Sequence, residues 1–169
     1  IVNAEKSNVQ LSSAIYGNVL NSTGSIIPLI WDAINKNYTL TLYSEEMTRF
    51  MIDIEDAMDL IEEGLKVSGF NIIPNLRSFN VKDLFEIYYE KFGLKYKIGE
   101  PRISEKIHEI MISKEEAPRT FYNKENDVFY MHYKNIAEDS IQNEFSSYET
   151  TVSKTELIKI LTHYNFFKV

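Results

Sequence analysis

Residues 15–28, Ile-Tyr-Gly-Asn-Val-Leu-Asn-Ser-Thr-Gly-Ser-Ile-Ile-Pro, constrain this chain more than any other stretch. Gly17, Asn18, Asn21, Ser22, Thr23, Gly24 and Ser25 crowd into it, and these residue types favour turns through left-handed backbone or local side-chain hydrogen bonds. Before the loop, residues 8–15 alternate as a strand does, with Val9, Leu11, Ser13 and Ile15 on one face. After it, Ile26, Ile27, Ile30, Trp31 and Ile34 recur at helical spacing, Ser25 is a good N-cap, and Pro28 falls in the first turn, where no donor is lost. A strand that runs through a tight polar loop into a helix is the building unit of α/β folds.

The rest of the chain repeats the alternation. Residues 38–43 read as a strand and residues 44–50 as a polar turn. Asp53 then caps a helix that carries Ile54, Ala57, Met58, Ile61 and Leu65 on one face. Residues 70–74 form a short apolar strand that Pro74 stops. Asn80 caps a helix burying Val81, Leu84, Phe85, Tyr88 and Phe92, and Gly93 closes it. Residues 94–98 are a strand and 99–106 a loop, while 107–112 are apolar and ordered without a clear type. Residues 119–123 and 127–133 read as β or irregular, and 135–151 as polar surface. Ser153 and Glu156 make a capping box for the last helix. With no repeat, linker or low-complexity segment, residues 1–169 are expected to form a single lobe.

Composition narrows the function. Eighteen Lys and Arg against 25 Asp and Glu give a net charge of −7, with no basic block, which argues against a nucleic-acid or anionic-membrane surface. No apolar run is long enough to span a bilayer, and the first residues lack the layout of a signal peptide. With zero cysteines, disulfides and thiolate chemistry are excluded, and a cytoplasmic location is the expectation. A chain beginning at Ile1, with a strand by about residue 9, reads as part of a longer polypeptide.

Local chemistry is sparse. Neither a Gly-x-Gly-x-x-Gly turn nor a Walker loop is present. His108, His132 and His163 are scattered, so no metal site is indicated, and Asp53, Glu55, Asp56 and Asp59 suit a helix N-terminus better than a cation. No Ser/His/Asp or Cys/His set emerges, and no catalytic residue is assigned. Of the four arginines, Arg49 and Arg102 fall between regular elements, where a guanidinium can fork onto a diphosphate; Arg77 and Arg119 are the others.

Several stretches together resemble one family. Residues 16–30 are similar to the R-Y-G-N-V-x-x-S-R-G-S-V-I-P signature of the inverting nucleotide-sugar 4,6-dehydratases, extended short-chain dehydrogenase/reductases of surface polysaccharide synthesis. Residues 45–61 resemble that family's M-T-R-F block, and residues 71–86 its following strand and helix start. Residues 101–116 resemble its R-x-G-E-K-x-H-E block, and residues 152–161 its terminal helix. The match is weakest around residues 133–152 and covers only the later half of the family. The expected fold is thus α/β, the C-terminal part of a Rossmann-like extended short-chain dehydrogenase, forming the substrate-binding lobe.

The resemblance also implies roles. Asn18 would donate its amide to a UDP-sugar such as UDP-N-acetylglucosamine, and Tyr16 would lie beside the nicotinamide of NAD or NADP. Ser25, Ile26, Ile27 and Pro28 would contact the base at a helix N-terminus, Arg49 and Arg102 would clamp the diphosphate, and Glu105 would take a ribose hydroxyl. The family's Gly-rich NAD loop and Tyr-x-x-x-Lys pair belong to its first half. The chain is therefore expected to need an N-terminal half, in the same or another chain, and to be a homo-oligomer with no nucleic-acid partner and no membrane insertion. Three positions depart from the pattern: Ile15 and Thr23 replace arginines, and Ser104 replaces a glycine, which predicts strain there. Two readings follow: part of a dehydratase or epimerase, or a non-catalytic nucleotide-sugar-binding module derived from one.

Overall fold

The computed structural model describes residues 9–101 and 103–167. In chain order the elements are β1 (Ser12–Ala14), β2 (Asn18–Val19), α1 (Ile26–Lys36), β3 (Leu40–Leu42), β4 (Thr48–Ile52), α2 (Ile54–Lys66), β5 (Phe70–Pro74) and β6 (Ser78–Asn80). They continue with α3 (Val81–Phe92), β7 (Tyr96–Ile98), β8 (Ile110–Ile112), β9 (Thr120–Asn123), β10 (Val128–His132), β11 (Phe145–Ser146) and α4 (Lys154–His163). The architecture is the α/β one expected, with parallel strand pairs between helices. Among the described residues the backbone forms two compact units: residues 9–16, 53–75 and 110–146, and residues 17–52, 76–101, 103–109 and 147–167.

The first unit holds a four-stranded sheet in the order β1-β5-β10-β9. β1 runs parallel to β5, with Ser12 opposite Phe70, and β10 and β9 continue it antiparallel. Parallel neighbours need a crossover, and α2 supplies it. Its contact face is narrow. Ala57, Leu60 and Gly64 are buried, and Leu60 packs with Ile72, Val128 and Tyr130. A Cβ on Gly64 would stand 3.1 Å from the Ser12 hydroxyl, which donates to the Gly64 carbonyl at 2.6 Å, so the glycine lets helix and strand touch.

This corrects the helical face read from the sequence. Only Ala57 of the five apolar positions is buried, while Ile54, Met58, Ile61 and Leu65 are 61, 57, 47 and 76% exposed. The face that meets the sheet is the flank carrying Ala57, Leu60 and Gly64, where the glycine permits close approach, and the rest of the apolar arc stays exposed. Asp53 does cap it, accepting from the Asp56 amide at 2.8 Å.

The second unit carries β2-β4-β6, with β4 parallel to β2 and antiparallel to β6, and the parallel pair β3-β7. Three helices enclose its core: Ile27, Ile30 and Ala33 of α1, Leu84, Phe85, Ile87 and Tyr88 of α3, and Leu157 and Leu161 of α4. Asn80 caps α3 by accepting from the Lys82 amide at 2.7 Å, and Gly93 ends it at φ 72°. Phe92 is only partly buried against this core. Trp31 Nε1 and Tyr88 Oη both donate to the Phe166 carbonyl, at 3.1 and 2.9 Å, fixing the turn after α4.

Two sequence expectations give way. Residues 48–50 are not a polar turn but the start of β4, with Thr48 and Phe50 buried, because β6 on one side, the loop of residues 105–109 on the other and internal hydroxyls satisfy their polar groups. The segment expected as polar surface, 135–151, contains buried Ala137, Phe145, Ser146 and Ser147 and the strand β11, which pairs with β8. The strand expected over 8–15 shortens to Ser12–Ala14; its first residue lies outside the described residues.

Leu60→Ala should cost about 2–5 kcal/mol in chemical denaturation, whereas Leu65→Lys should stay within about 0.5 kcal/mol. Equal costs would return the buried face to the sequence pattern. A second test uses Tyr88, whose fully buried phenol is pushed well above the ordinary tyrosine range by desolvation. The fold favours its protonated form, so stability should be full below about pH 10 and fall above it as the unfolded chain ionises first. Tyr88→Phe should flatten that alkaline decline relative to the unsubstituted protein.

Candidate functional site

The loop of residues 20–25 leads from β2 to α1, and its tight path uses Asn21 and Gly24 at positive φ, 58° and 79°. It delivers Ser25 to the start of α1, where the backbone is extended as an N-cap requires. No hydrogen bond joins the Ser25 side chain to the helix; its Oγ is buried without a partner. Ser25 lines a cavity of about 340 Å³ in the second unit. Leu40, Leu42, Met47, Phe79, Val81 and Phe85 supply apolar walls, and Asn18, Ser25, Arg49 and Glu105 supply polar ones. A buried polar atom without a partner is costly, and Ser25 Oγ is such an atom in a residue that lines this cavity.

Beside the cavity, β4 anchors a polar network. One terminal nitrogen of Arg49 donates to the carbonyls of Thr48 and Ile107, at 2.8 and 3.2 Å, and the other to Glu105 at 3.0 Å. Its Nε lies 3.7 Å from the carboxylate of Glu109. Glu109 accepts from the Phe50 amide at 3.1 Å and from the side chain of Asn18 at 3.3 and 3.4 Å. Asn18 also donates to the Phe50 carbonyl at 3.2 Å. Behind these, the Thr48 hydroxyl meets His108 Nδ1 at 2.8 Å and the buried Ser147 hydroxyl at 2.7 Å, and Ser147 Oγ accepts from the Glu109 amide at 2.9 Å. His108 in turn packs against Tyr148, ring centres 5.0 Å apart. An apolar pocket with a few converging polar groups is the usual form of a small-molecule site.

Residues 2–131 match the model of a family described as "Polysaccharide biosynthesis protein". The chain belongs to that family. Among its relatives, an uncharacterized membrane protein of Methanocaldococcus jannaschii is 35% identical over 140 residues, 75% of this chain and 41% of that protein. A UDP-N-acetylglucosamine 4,6-dehydratase (inverting) of Campylobacter jejuni is 34% identical over 109 residues, 63% of this chain and 32% of the enzyme. A UDP-glucose 4-epimerase of Rickettsia akari is 34% identical over 107 residues, 60% of this chain and 31% of the enzyme. The matches thus span roughly a third to two fifths of these relatives' length. The fold is shared with the crystal structure of Pen from Bacillus thuringiensis, at a TM-score of 0.84 and 24% identity over 98% of this chain and 54% of that one.

Asn18, Ser25, Ile26, Arg49 and Glu105 line one cavity. Ile27 does not: it is buried in the core between the helices. Pro28 sits in the first turn of α1, outside the lining. Tyr16 belongs to the first unit and is 41% exposed. Arg102 lies outside the described residues. The strain expected at Ser104 is absent, since it does not take a positive φ.

Sequence reasoning passed over Glu109, which binds Asn18, Arg49 and β4 together; the His-Glu of the R-x-G-E-K-x-H-E block was its only signal. A Tyr-x-x-x-Lys spacing does occur at Tyr130–Lys134, contrary to its expected place outside this chain, but it begins on strand β10. There burial and a hydrogen bond to Glu63 push the Tyr130 phenol up, away from the lowered value a proton-transferring tyrosine needs. A second such spacing begins at Tyr164 and ends at Lys168, outside the described residues.

Thr48→Val should leave Ser147 and His108 short of a partner and cost about 1–3 kcal/mol in denaturant midpoint measurements. A neutral result would mean that the hydroxyl chain does not hold the site in place.

Proposed function

We propose that the cavity binds a UDP-sugar and that the chain is the sugar-nucleotide-binding part of a nucleotide-sugar 4,6-dehydratase or epimerase in polysaccharide synthesis. One observation carries this reading: Asn18, Ser25, Arg49 and Glu105, from three separate stretches of the sequence, line a single apolar-walled cavity at the start of α1. Membership of a polysaccharide biosynthesis family and similarity to enzymes named for UDP-sugars support it. In this reading the apolar walls take the base, Ser25 and Ile26 meet it at the helix start, and Glu105 accepts from a ribose hydroxyl. Arg49 and Arg102 neutralise the diphosphate. These residues bind and orient; none transfers a hydride.

Removing water from a hexose of this kind, or inverting its C4, begins with oxidation at C4, which NAD or NADP supplies when bound. Residues fit for that cofactor are not found among those described. The strand-to-helix loop at residues 20–25 carries Gly24 alone and serves the cavity, and Tyr16 is one half-exposed phenol rather than a phosphate cradle. In this reading oxidation falls to a cofactor-binding segment other than the residues described. A second reading, a non-catalytic nucleotide-sugar-binding module, is favoured by the engagement of Arg49 with Glu105 and two carbonyls and by Ile15 and Thr23 in place of arginines.

Calorimetric titration with UDP and with UDP-N-acetylglucosamine is expected to show saturable one-to-one binding, weakened by Ser25→Leu, which fills the cavity mouth. No saturation up to about 10 mM would sink both readings. Binding together with turnover on adding a cofactor-binding partner segment selects the first, and binding without it the second.

A further inference from the structure

We infer that Asn18 meets its ligand as a hydrogen-bond acceptor, and that Glu109 is the positioning residue that fixes this polarity. The inference rests on the cavity being a ligand site and reverses the donor role implied for Asn18 by family resemblance. The Asn18 amide nitrogen has two protons, and its neighbours are the Phe50 carbonyl at 3.2 Å and the two oxygens of Glu109 at 3.4 and 3.3 Å. A carbonyl and an ionised carboxylate only accept. The opposite amide orientation would set Oδ1 against three oxygens, so the surroundings decide the orientation. Both protons are thereby committed, and Oδ1 is the end of the amide left for the cavity that Asn18 lines. Among the described residues no donor is bonded to it.

Glu109 cannot turn to release the amide without losing other partners. Its carboxylate also holds the Phe50 N–H at 3.1 Å and lies 3.7 Å from Arg49 Nε. Its backbone is fixed on both sides, N–H to Ser147 Oγ at 2.9 Å and carbonyl from the Ser147 amide at 2.8 Å. Glu109 is not among the residues lining the cavity, so it acts through Asn18. The chemical consequence is selective. An ionised phosphate offers only acceptors and cannot pair with Oδ1, whereas a sugar or ribose hydroxyl, or an imide N–H of a base, can. Asn18 thus reads the donor-bearing part of a nucleotide sugar and leaves the diphosphate to cations.

The test is proton–nitrogen NMR on the full chain, with the Asn18 side-chain amide assigned through bonds. In the free protein its two protons should exchange with water at least about tenfold more slowly than those of exposed Asn37, and Glu109→Ala should abolish that protection. Saturating UDP-N-acetylglucosamine should leave the protected pair in place, and Glu109→Ala should weaken its binding about tenfold. Glu109→Gln, similar in shape but with one acceptor replaced by a donor, should fail to restore either property, which a purely space-filling role would not predict. Unprotected amide protons in the free protein, or a ligand-induced shift of that pair to a phosphate-bonded position, would overturn the inference. Protection without any binding of the nucleotide sugar would uphold the amide's polarity and sink the substrate reading instead.

Discussion

The site hangs from the backbone and side chains of β4. β6 pairs with its residues 48–50 on one edge and β2 with residues 51–52 on the other, so the second edge of 48–50 has no strand partner. That open edge takes the loop of residues 105–109: the Thr48 amide donates to the Ile107 carbonyl at 2.9 Å, the Thr48 hydroxyl reaches His108, and the Phe50 amide is taken by the Glu109 carboxylate. Ser147, fully buried, closes the arrangement by bonding both Thr48 and Glu109. A buried polar network holds a single geometry only when every member is satisfied, because each unmet group in a low-dielectric interior is costly. Here satisfaction of the network and positioning of Asn18, Arg49 and Glu105 are the same set of bonds.

That arrangement also sets the electrostatics of the cavity. One guanidinium faces two carboxylates, and its terminal nitrogens already serve two carbonyls and Glu105. Such a cation neutralises its surroundings more than it attracts an anion from solution. In the proposed reading, selectivity then rests on the hydrogen-bonding direction of the neutral Asn18 amide in a space whose walls are mainly apolar. A chain with a net charge of −7 is consistent with recognition by geometry rather than by a broad positive field.

Much of this was legible before any coordinates. The 3.6-residue period at 26–36, the caps at Asp53, Asn80 and Ser153 and the glycine at 93 are local signals, and local physics produced the elements they announced. Residues 48–50 misled because Thr48 and Arg49 look like turn residues by type, while their polar atoms are satisfied by partners about 60 and 100 positions away. The α2 face misled for the complementary reason: more apolar residues share the arc than the sheet can cover, and periodicity cannot say which subset a partner surface will choose. Of the site, the polar residues that line the cavity, Asn18, Ser25, Arg49 and Glu105, stood at recognisable motif positions, while the wall from Leu40 to Tyr43 belonged to no motif. Glu109, which holds them, touches no cavity, and its role exists only in the fold.

Trp31 is the only tryptophan in the chain, and it stands in α1, the helix that opens at the cavity. Its ring packs edge-on against Tyr88 at 5.5 Å and against Phe92 at 4.8 Å, and its indole nitrogen is bonded to the Phe166 carbonyl, all within the second unit. The protein therefore carries an intrinsic fluorophore that reports on the cavity-bearing unit and is silent about the four-stranded sheet of the other. Far-ultraviolet dichroism sums over both. Comparing the two signals along one unfolding curve separates the cooperativity of the units without a label or a substitution, because coincident transitions are the mark of a single folding block and displaced ones of two.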